Sequence, residues 1–180
     1  MTLWLFIGRL NPPHIWHIAI IDKALLENEK VLVLIWTKED RDQNNPLSFT
    51  EIKDILLLKY KDNKKLEILE LRDDRSDLIW IYNIYKILFE KWRGINDISL
   101  YAWDFKNDSA YTIIKKHESH FNNFKFNYIE QSRESSFLNY NWQKIAISAT
   151  NLRQALRNKD YDLVNILCDE KMVEKIKNHF

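Results

Sequence analysis

The stretch Gly8-Arg9-Leu10-Asn11-Pro12-Pro13-His14-Ile15-Trp16-His17 puts two histidines one helical turn apart, behind a proline pair and directly after an apolar run. Proline is tolerated at a helix start, where an N–H has no intrahelical partner, so a helix is predicted from about residue 15. His14 and His17 then lie on one face and can reach the same anion. The free N–H groups and positive dipole end of a helix start attract phosphate in particular. Two other readings stay open. One is a helix-start histidine with a partly buried neighbour; the other is a zinc pair, for which no Cys or carboxylate stands at the usual spacing.

A second stretch, KIAISATNLRQAL (144–156), runs from a short apolar strand end into Ser148, Thr150 and Arg153. Hydroxyls and backbone N–H groups at a helix start, with an arginine one turn inside, form another phosphate cradle. The same residues also read as an ordinary N-cap with a solvated arginine.

The elements that position these residues follow from periodicity. Apolar runs LWLFI (3–7), VLVLIW (31–36), LEILEL (66–71), ISLYAW (98–103) and FKFNYI (124–129) alternate with amphipathic stretches at about 15–28, 48–60, 77–92 and 109–120. This pattern predicts an α/β fold, a doubly wound parallel five-stranded sheet with helices on both faces. In such sheets ligands bind beyond the carboxyl ends of the strands, and the first strand ends at Gly8. Residues 131–142 are polar and without period, and are expected to form a loop. Residues 150–157 and 160–178 are expected to be short C-terminal helices, with Asp160 and Asp169 as N-terminal acids.

A chain of 180 residues is expected to form one domain, 1–180. The balance of 27 Lys+Arg against 26 Asp+Glu points away from a nucleic-acid surface. No apolar stretch approaches the ~20 residues of a membrane span. A single cysteine, Cys168, excludes an internal disulfide and fits a reducing, cytoplasmic setting.

Together the two motif stretches resemble the nucleotidyltransferase superfamily, marked by G-R-F-x-P-x-H-x-G-H after the first strand and I-S-x-T-x-[IL]-R near the C-terminus, the latter here Ile147-Ser148-Ala149-Thr150-Asn151-Leu152-Arg153. The middle of the chain is similar to archaeal-type nicotinamide-mononucleotide adenylyltransferases and to the transferase domain of their bacterial two-domain relatives. Asn45-Pro46-Leu47-Ser48-Phe49 resembles their N-P-F-[ST] segment. Leu71-Arg72-Asp73 with Asp77 and Trp80 resembles their acidic loop and tryptophan, and Asp104 to Tyr111 their D-K-D-x-[ST]-S-x-Y stretch.

The resemblance implies a Rossmann-like domain that transfers AMP from ATP to nicotinamide mononucleotide, giving NAD and pyrophosphate, with Mg²⁺ carried on the phosphates. It implies His14, His17 and Arg153 as the catalytic, charge-neutralising groups and Gly8, Arg9, Ile147, Ser148 and Thr150 around the nucleotide. Trp80 is implied to stack on the nicotinamide ring, with Asp73 and Asp77 as acceptor-side contacts. For Trp80 the core reading stands beside this one, because its helix also carries Ile79, Ile81 and Ile84. Transfer to another phosphorylated acceptor is the alternative within the enzyme class, and self-association is common in such relatives.

Trp16, Trp36 and Trp103 stand where the resembled proteins have glycine. An average chain of this length holds roughly 13 glycines at about 7% usage, yet this one has 2 glycines and 7 tryptophans. Both anomalies are explained if some tryptophans are UGA codons that the source organism decodes as glycine. Trp4, Trp92 and Trp142 are further candidates, whereas Trp80 matches a family tryptophan. An AT-rich genome is the competing account of the low glycine, and it leaves the tryptophans unexplained. If the tryptophans are authentic, the adenine and phosphate pockets are partly filled and a catalytically weakened nucleotide-binding protein results. The codons decide: UGA is expected at positions 16, 36 and 103, and UGG there excludes recoding.

Overall fold

The structure, a computed structural model, describes residues 2–102, 105–130 and 137–180. Trp103, Asp104 and the first part of the expected 131–142 loop lie outside the described residues. The fold is built on a five-stranded parallel sheet in the order β3-β2-β1-β4-β5. Its strands are β1 (Thr2–Gly8), β2 (Lys30–Thr37), β3 (Leu66–Arg72), β4 (Asp97–Ala102) and β5 (Lys125–Glu130), with flanking helices α1 (Ile15–Glu27), α2 (Phe49–Tyr60), α3 (Asp77–Lys91) and α4 (Ser109–Lys116). This is the Rossmann-like α/β class expected from the alternation of apolar runs and helical periods. None of the described helices is long and apolar enough to cross a membrane.

The chain divides into two compact units. The first comprises Met1–Gly8, Ala24–Glu39 and Lys65–Ser132, and so holds the whole parallel sheet with α3 and α4. Leu3, Leu5 and Ile7 of β1 alternate along the strand and pack with Leu32 and Leu34 of β2 and Ile98 and Leu100 of β4. Trp80, Ile81, Ile84 and Leu88 follow the helical period of α3 and close over them, joined by Ala110 and Ile114 of α4. Trp4 and Phe6, on the opposite side of β1, are equally buried, as a strand covered on both faces requires. The indole N–H groups of Trp4 and Trp92 are buried without an acceptor among the described residues, each a loss of about 1–3 kcal/mol by the usual cost of an unmade buried hydrogen bond.

The second unit comprises Arg9–Lys23, Asp40–Lys64 and Arg133–Phe180. Here α2 starts with a reciprocal cap: the Glu51 N–H donates to Ser48 Oγ at 3.3 Å and the Ser48 N–H to Glu51 Oε2 at 2.7 Å, an arrangement that stabilises a helix by ~1 kcal/mol. Lys59 Nζ bridges Asp22 at 2.9 Å and Asp169 at 2.8 Å, and the Tyr60 hydroxyl donates to Asp22 at 2.8 Å. The C-terminal region contains α5 (Ala149–Arg157), α6 (Tyr161–Leu167) and α7 (Val173–Lys177). Asp160 caps α6 through the Leu163 N–H, as expected from sequence. Asp169 does not cap a helix; its carboxylate is taken by Lys59 and the Lys171 N–H. Cys168 is buried, and burial pushes its thiol up to about 12, so it stays protonated and unreactive.

Residues 137–142, expected as loop, instead enter a hairpin of β6 (Phe137–Tyr140) and β7 (Gln143–Ala146), with Tyr140 paired to Gln143. The two-residue turn has φ of +49° at Asn141 and +65° at Trp142, the left-handed pair of a type I′ turn, which favours Asn-Gly. Trp142 is fully exposed, so its indole gains no burial to offset that backbone conformation. Trp142→Gly is therefore expected to stabilise the protein by about 1 kcal/mol, read as a higher urea midpoint at unchanged slope.

Candidate functional site

The histidine stretch lies in the second unit. β1 ends at Gly8, which pairs with Ile35, and Leu10 then takes a φ of +45° that turns the chain. The next residue organises the loop: Asn11 Nδ2–H donates to the Leu47 carbonyl at 2.8 Å, and Asn11 Oδ1 accepts the Leu47 N–H at 3.0 Å. A primary amide presents the same donor and acceptor as a peptide, so it mimics one rung of a sheet. This clasp joins the loop after β1 to Asn45-Pro46-Leu47. Arg9 reaches the same segment, donating to Asn45 Oδ1 at 3.4 Å.

His14 and His17 are both buried, with ring centroids 3.7 Å apart. The His14 backbone N–H donates to His17 Nδ1 at 3.2 Å. An accepting Nδ1 carries no proton, so the neutral His17 ring bears its hydrogen on Nε2, leaving that nitrogen as a donor. Burial pushes His14 down to about 3. Burial, and then the charge of His14, hold His17 well below its ordinary value. Both rings are neutral at pH 7.

Arg153 completes the group. Its guanidinium donates to the Asn11 carbonyl at 2.6 Å and to Thr150 Oγ1 at 3.2 Å. Ser148 caps α5, its Oγ accepting the Asn151 N–H at 3.2 Å, and Ile147 precedes it, half-buried. Arg153 is buried, unlike the solvated arginine of the alternative reading; burial and then neighbouring Arg157 lower its pKa from the ordinary value. Thus one unit brings together His14, His17, Arg153, Thr150 and Asn11, with Ser148 at the start of the arginine's helix. Such a cluster of donors suits a polyanion.

Gly8, Asp73, Asp77 and Trp80 belong to the first unit. The Asp73 N–H donates to the Thr37 carbonyl at 2.6 Å. The Asp77 carboxylate opens α3 and pairs with Lys116 at 3.3 Å and His117 at 3.8 Å. Trp80 is 1% exposed and lies in the core, its ring 4.9 Å from that of Trp36.

Asn11 and Arg157 are the residues sequence reasoning missed. Arg157, one turn after Arg153, donates to the Gln43 carbonyl at 2.5 Å. Its spacing from Arg153 was visible, but its target was not. Arg41 is paired with Glu51 at 2.9 Å.

No protein-family model matches the sequence, and no curated protein matches it. Among solved structures, a bifunctional NMN adenylyltransferase/ADP ribose pyrophosphatase from Francisella tularensis is similar, with a TM-score of 0.67 and 21% identity over 88% of this chain and 42% of that one. It has also been solved with AMP and a Mn ion. A NadR protein in complex with NR gives a TM-score of 0.66 and 12% identity over 92% of this chain and 44% of that one. Thermotoga maritima TmcAL bound with alpha-thio ATP gives 0.58 and 13%, over 99% and 56%. The chain thus spans less than half the length of the first two proteins.

The histidines make the unit acid-sensitive. In the unfolded chain an imidazole takes its proton near 6.5, in the folded chain only far below. The unfolded state therefore binds more protons below pH 6.5, and stability falls as pH drops through that value. The melting temperature is expected to decline between pH 6.5 and about 5, above the carboxylate range, and to decline less in the His14→Gln/His17→Gln variant. An equal decline in both proteins would show that other groups carry it. At these identities the likeness to solved structures establishes the fold, a Rossmann-like parallel sheet.

Proposed function

We propose that the chain is a nucleotidyltransferase domain that transfers AMP from ATP to nicotinamide mononucleotide, giving NAD and pyrophosphate. The carrying observation is that one unit holds two neutral buried imidazoles and a buried arginine bonded to the Asn11 carbonyl, with Asp42 the carboxylate that acts on that arginine. The similar structures support the same reading through their stated activity and ligands: NMN adenylyltransferase, AMP, NR and alpha-thio ATP.

In this reaction a 5′-phosphate oxygen of the mononucleotide attacks the α-phosphorus of ATP. The bond from that phosphorus to the bridging oxygen breaks, and pyrophosphate leaves with the electron pair. Negative charge grows on the α-phosphoryl oxygens and the leaving group, so preorganised donors supply most of the acceleration. His14 and His17 are assigned to the α-phosphoryl oxygens. Arg153 is assigned to the leaving phosphates, with Arg9, Ser148, Thr150 and the backbone at Gly8 and Ile147 around the nucleotide. Asp73, Asp77 and Trp80 are assigned to the acceptor.

Among the described residues no three His, Cys, Asp or Glu side chains gather as a metal cage. The neutral and cationic donors present fit a nucleotide that brings Mg²⁺ on its own phosphates, where the ion keeps water ligands. A catalytically weakened nucleotide-binding protein is the second reading. It is favoured by one observation, the Trp36 ring against Trp80.

Incubation with Mg-ATP and nicotinamide mononucleotide is expected to release pyrophosphate and form NAD, with kcat lowered about a hundredfold by His17→Ala or Arg153→Ala. Product from a different mononucleotide alone would reassign the acceptor. ATP binding without pyrophosphate would establish the weakened protein instead.

A further inference from the structure

We propose that Asn11 is the positioning residue of the phosphate cluster: its side-chain amide, clasped to Leu47, fixes the backbone carbonyl that aims the Arg153 guanidinium. The inference rests on the phosphate reading of Arg153 above and gives a task to a residue for which the resemblance specifies none. Asn11 is buried, and a buried amide persists only where its donor and acceptor are met. Its Nδ2–H and Oδ1 are both spent on the backbone of Leu47, 36 residues on, at 2.8 and 3.0 Å. Two bonds between the same two residues fix distance and rotation together. The far end of the clasp is itself held. Asp42 Oδ1 accepts the Asn44 and Asn45 N–H groups, each at 2.7 Å, and Ser48, next to Leu47, is locked into the cap of α2.

The near end meets the arginine. The Asn11 carbonyl accepts the Arg153 Nη1–H at 2.6 Å, and Thr150 Oγ1 accepts the Nη2–H at 3.2 Å. Thr150 belongs to the arginine's own helix, α5, so the carbonyl is the contact that orients the guanidinium against the histidine turn. Both acceptors are neutral oxygens. They take two of the five N–H groups of a guanidinium and leave its positive charge in place. An arginine aimed before an anion arrives loses less side-chain freedom when it binds. Helix α5 also keeps a second tie to the segment after β2, since Arg157 donates to the Gln43 carbonyl at 2.5 Å. Removal of the Asn11 amide therefore misaims one side chain without releasing the helix.

The first readout is nitrogen NMR of the arginine side chains without any ligand. Two bonds to the protein hinder rotation of the guanidinium, so the parent is expected to give separate Arg153 Nη signals, identified by their absence in Arg153→Lys, and in Asn11→Ala these signals merge. The second is calorimetric titration with inorganic triphosphate. Asn11→Ala and Arg153→Lys are each expected to bind it about tenfold more weakly than the parent, the scale of one charged hydrogen bond, and the double variant no more weakly than either single one. Lys59→Met, which breaks the bridge to Asp22 and Asp169, should lower the melting temperature yet keep the parent's signals and affinity, which separates aim from general stability. Circular dichroism identifies a variant that fails to fold, and Asn11→Ser, too short to span both Leu47 groups, then carries the comparison. Unchanged Arg153 signals or unchanged affinity in the residue-11 variants, or losses that multiply in the double variant, overturn the proposal. A parent that binds no triphosphate, with signals that still merge in Asn11→Ala, keeps Asn11 as the residue that aims Arg153 and removes the phosphate reading instead. Bound triphosphate without NAD formation from Mg-ATP and nicotinamide mononucleotide removes only the transfer reaction.

Discussion

Asn11 joins three stretches of chain that are far apart in sequence. Its side-chain amide satisfies both backbone polar groups of Leu47, and its carbonyl accepts from the Arg153 guanidinium. Each of these groups is buried, so each lost bond would leave a polar atom unsatisfied, at about 1–3 kcal/mol or more where the charge is involved. These bonds tie the histidine turn, the segment that starts α2 and the helix that carries the arginine to one another. Leu10 pays for this in backbone conformation: its positive φ delivers Asn11 to the position where both faces of its peptide-like amide can be used.

The electrostatics of the site follow from the same burial. A buried imidazolium beside a second imidazole is costly, and both histidines are accordingly neutral. Neutral rings can donate without first being charged, and the His14 N–H fixes the tautomer in which His17 Nε2 is the donor.

Much of this was legible from local pattern. The five apolar runs became the five strands to within a few residues, and the histidine and Ser148–Arg153 stretches fell after β1 and at the start of α5, because burial period and capping chemistry are local properties. The partners of Asn11 and Arg157 were not legible, since nothing in the one-dimensional string says which distant carbonyl a side chain will meet. The β6-β7 hairpin was missed for a different reason. Its strands are short and weakly apolar, and the strongest hairpin signal, Asn followed by glycine, is replaced here by Asn141-Trp142. Asp169 was misread because an acid before a helical stretch is ambiguous until its cation, Lys59, is in place.

The tryptophans show how one substitution pattern can disturb sequence reading and structure together. Glycine is chosen where backbone must turn with positive φ or where another group must come close. At Trp142 the first condition holds in the turn geometry itself, independently of any family comparison. At Trp36 the indole packs against the buried ring of Trp80, the centroids 4.9 Å apart. At Trp4 and Trp92, as at Trp80, the indole N–H is buried with no acceptor among the described residues, so this feature does not separate the tryptophan that matches a family tryptophan from the others. Trp142, fully exposed at a positive φ in a chain with 2 glycines, is the position whose backbone geometry calls for glycine rather than for an indole.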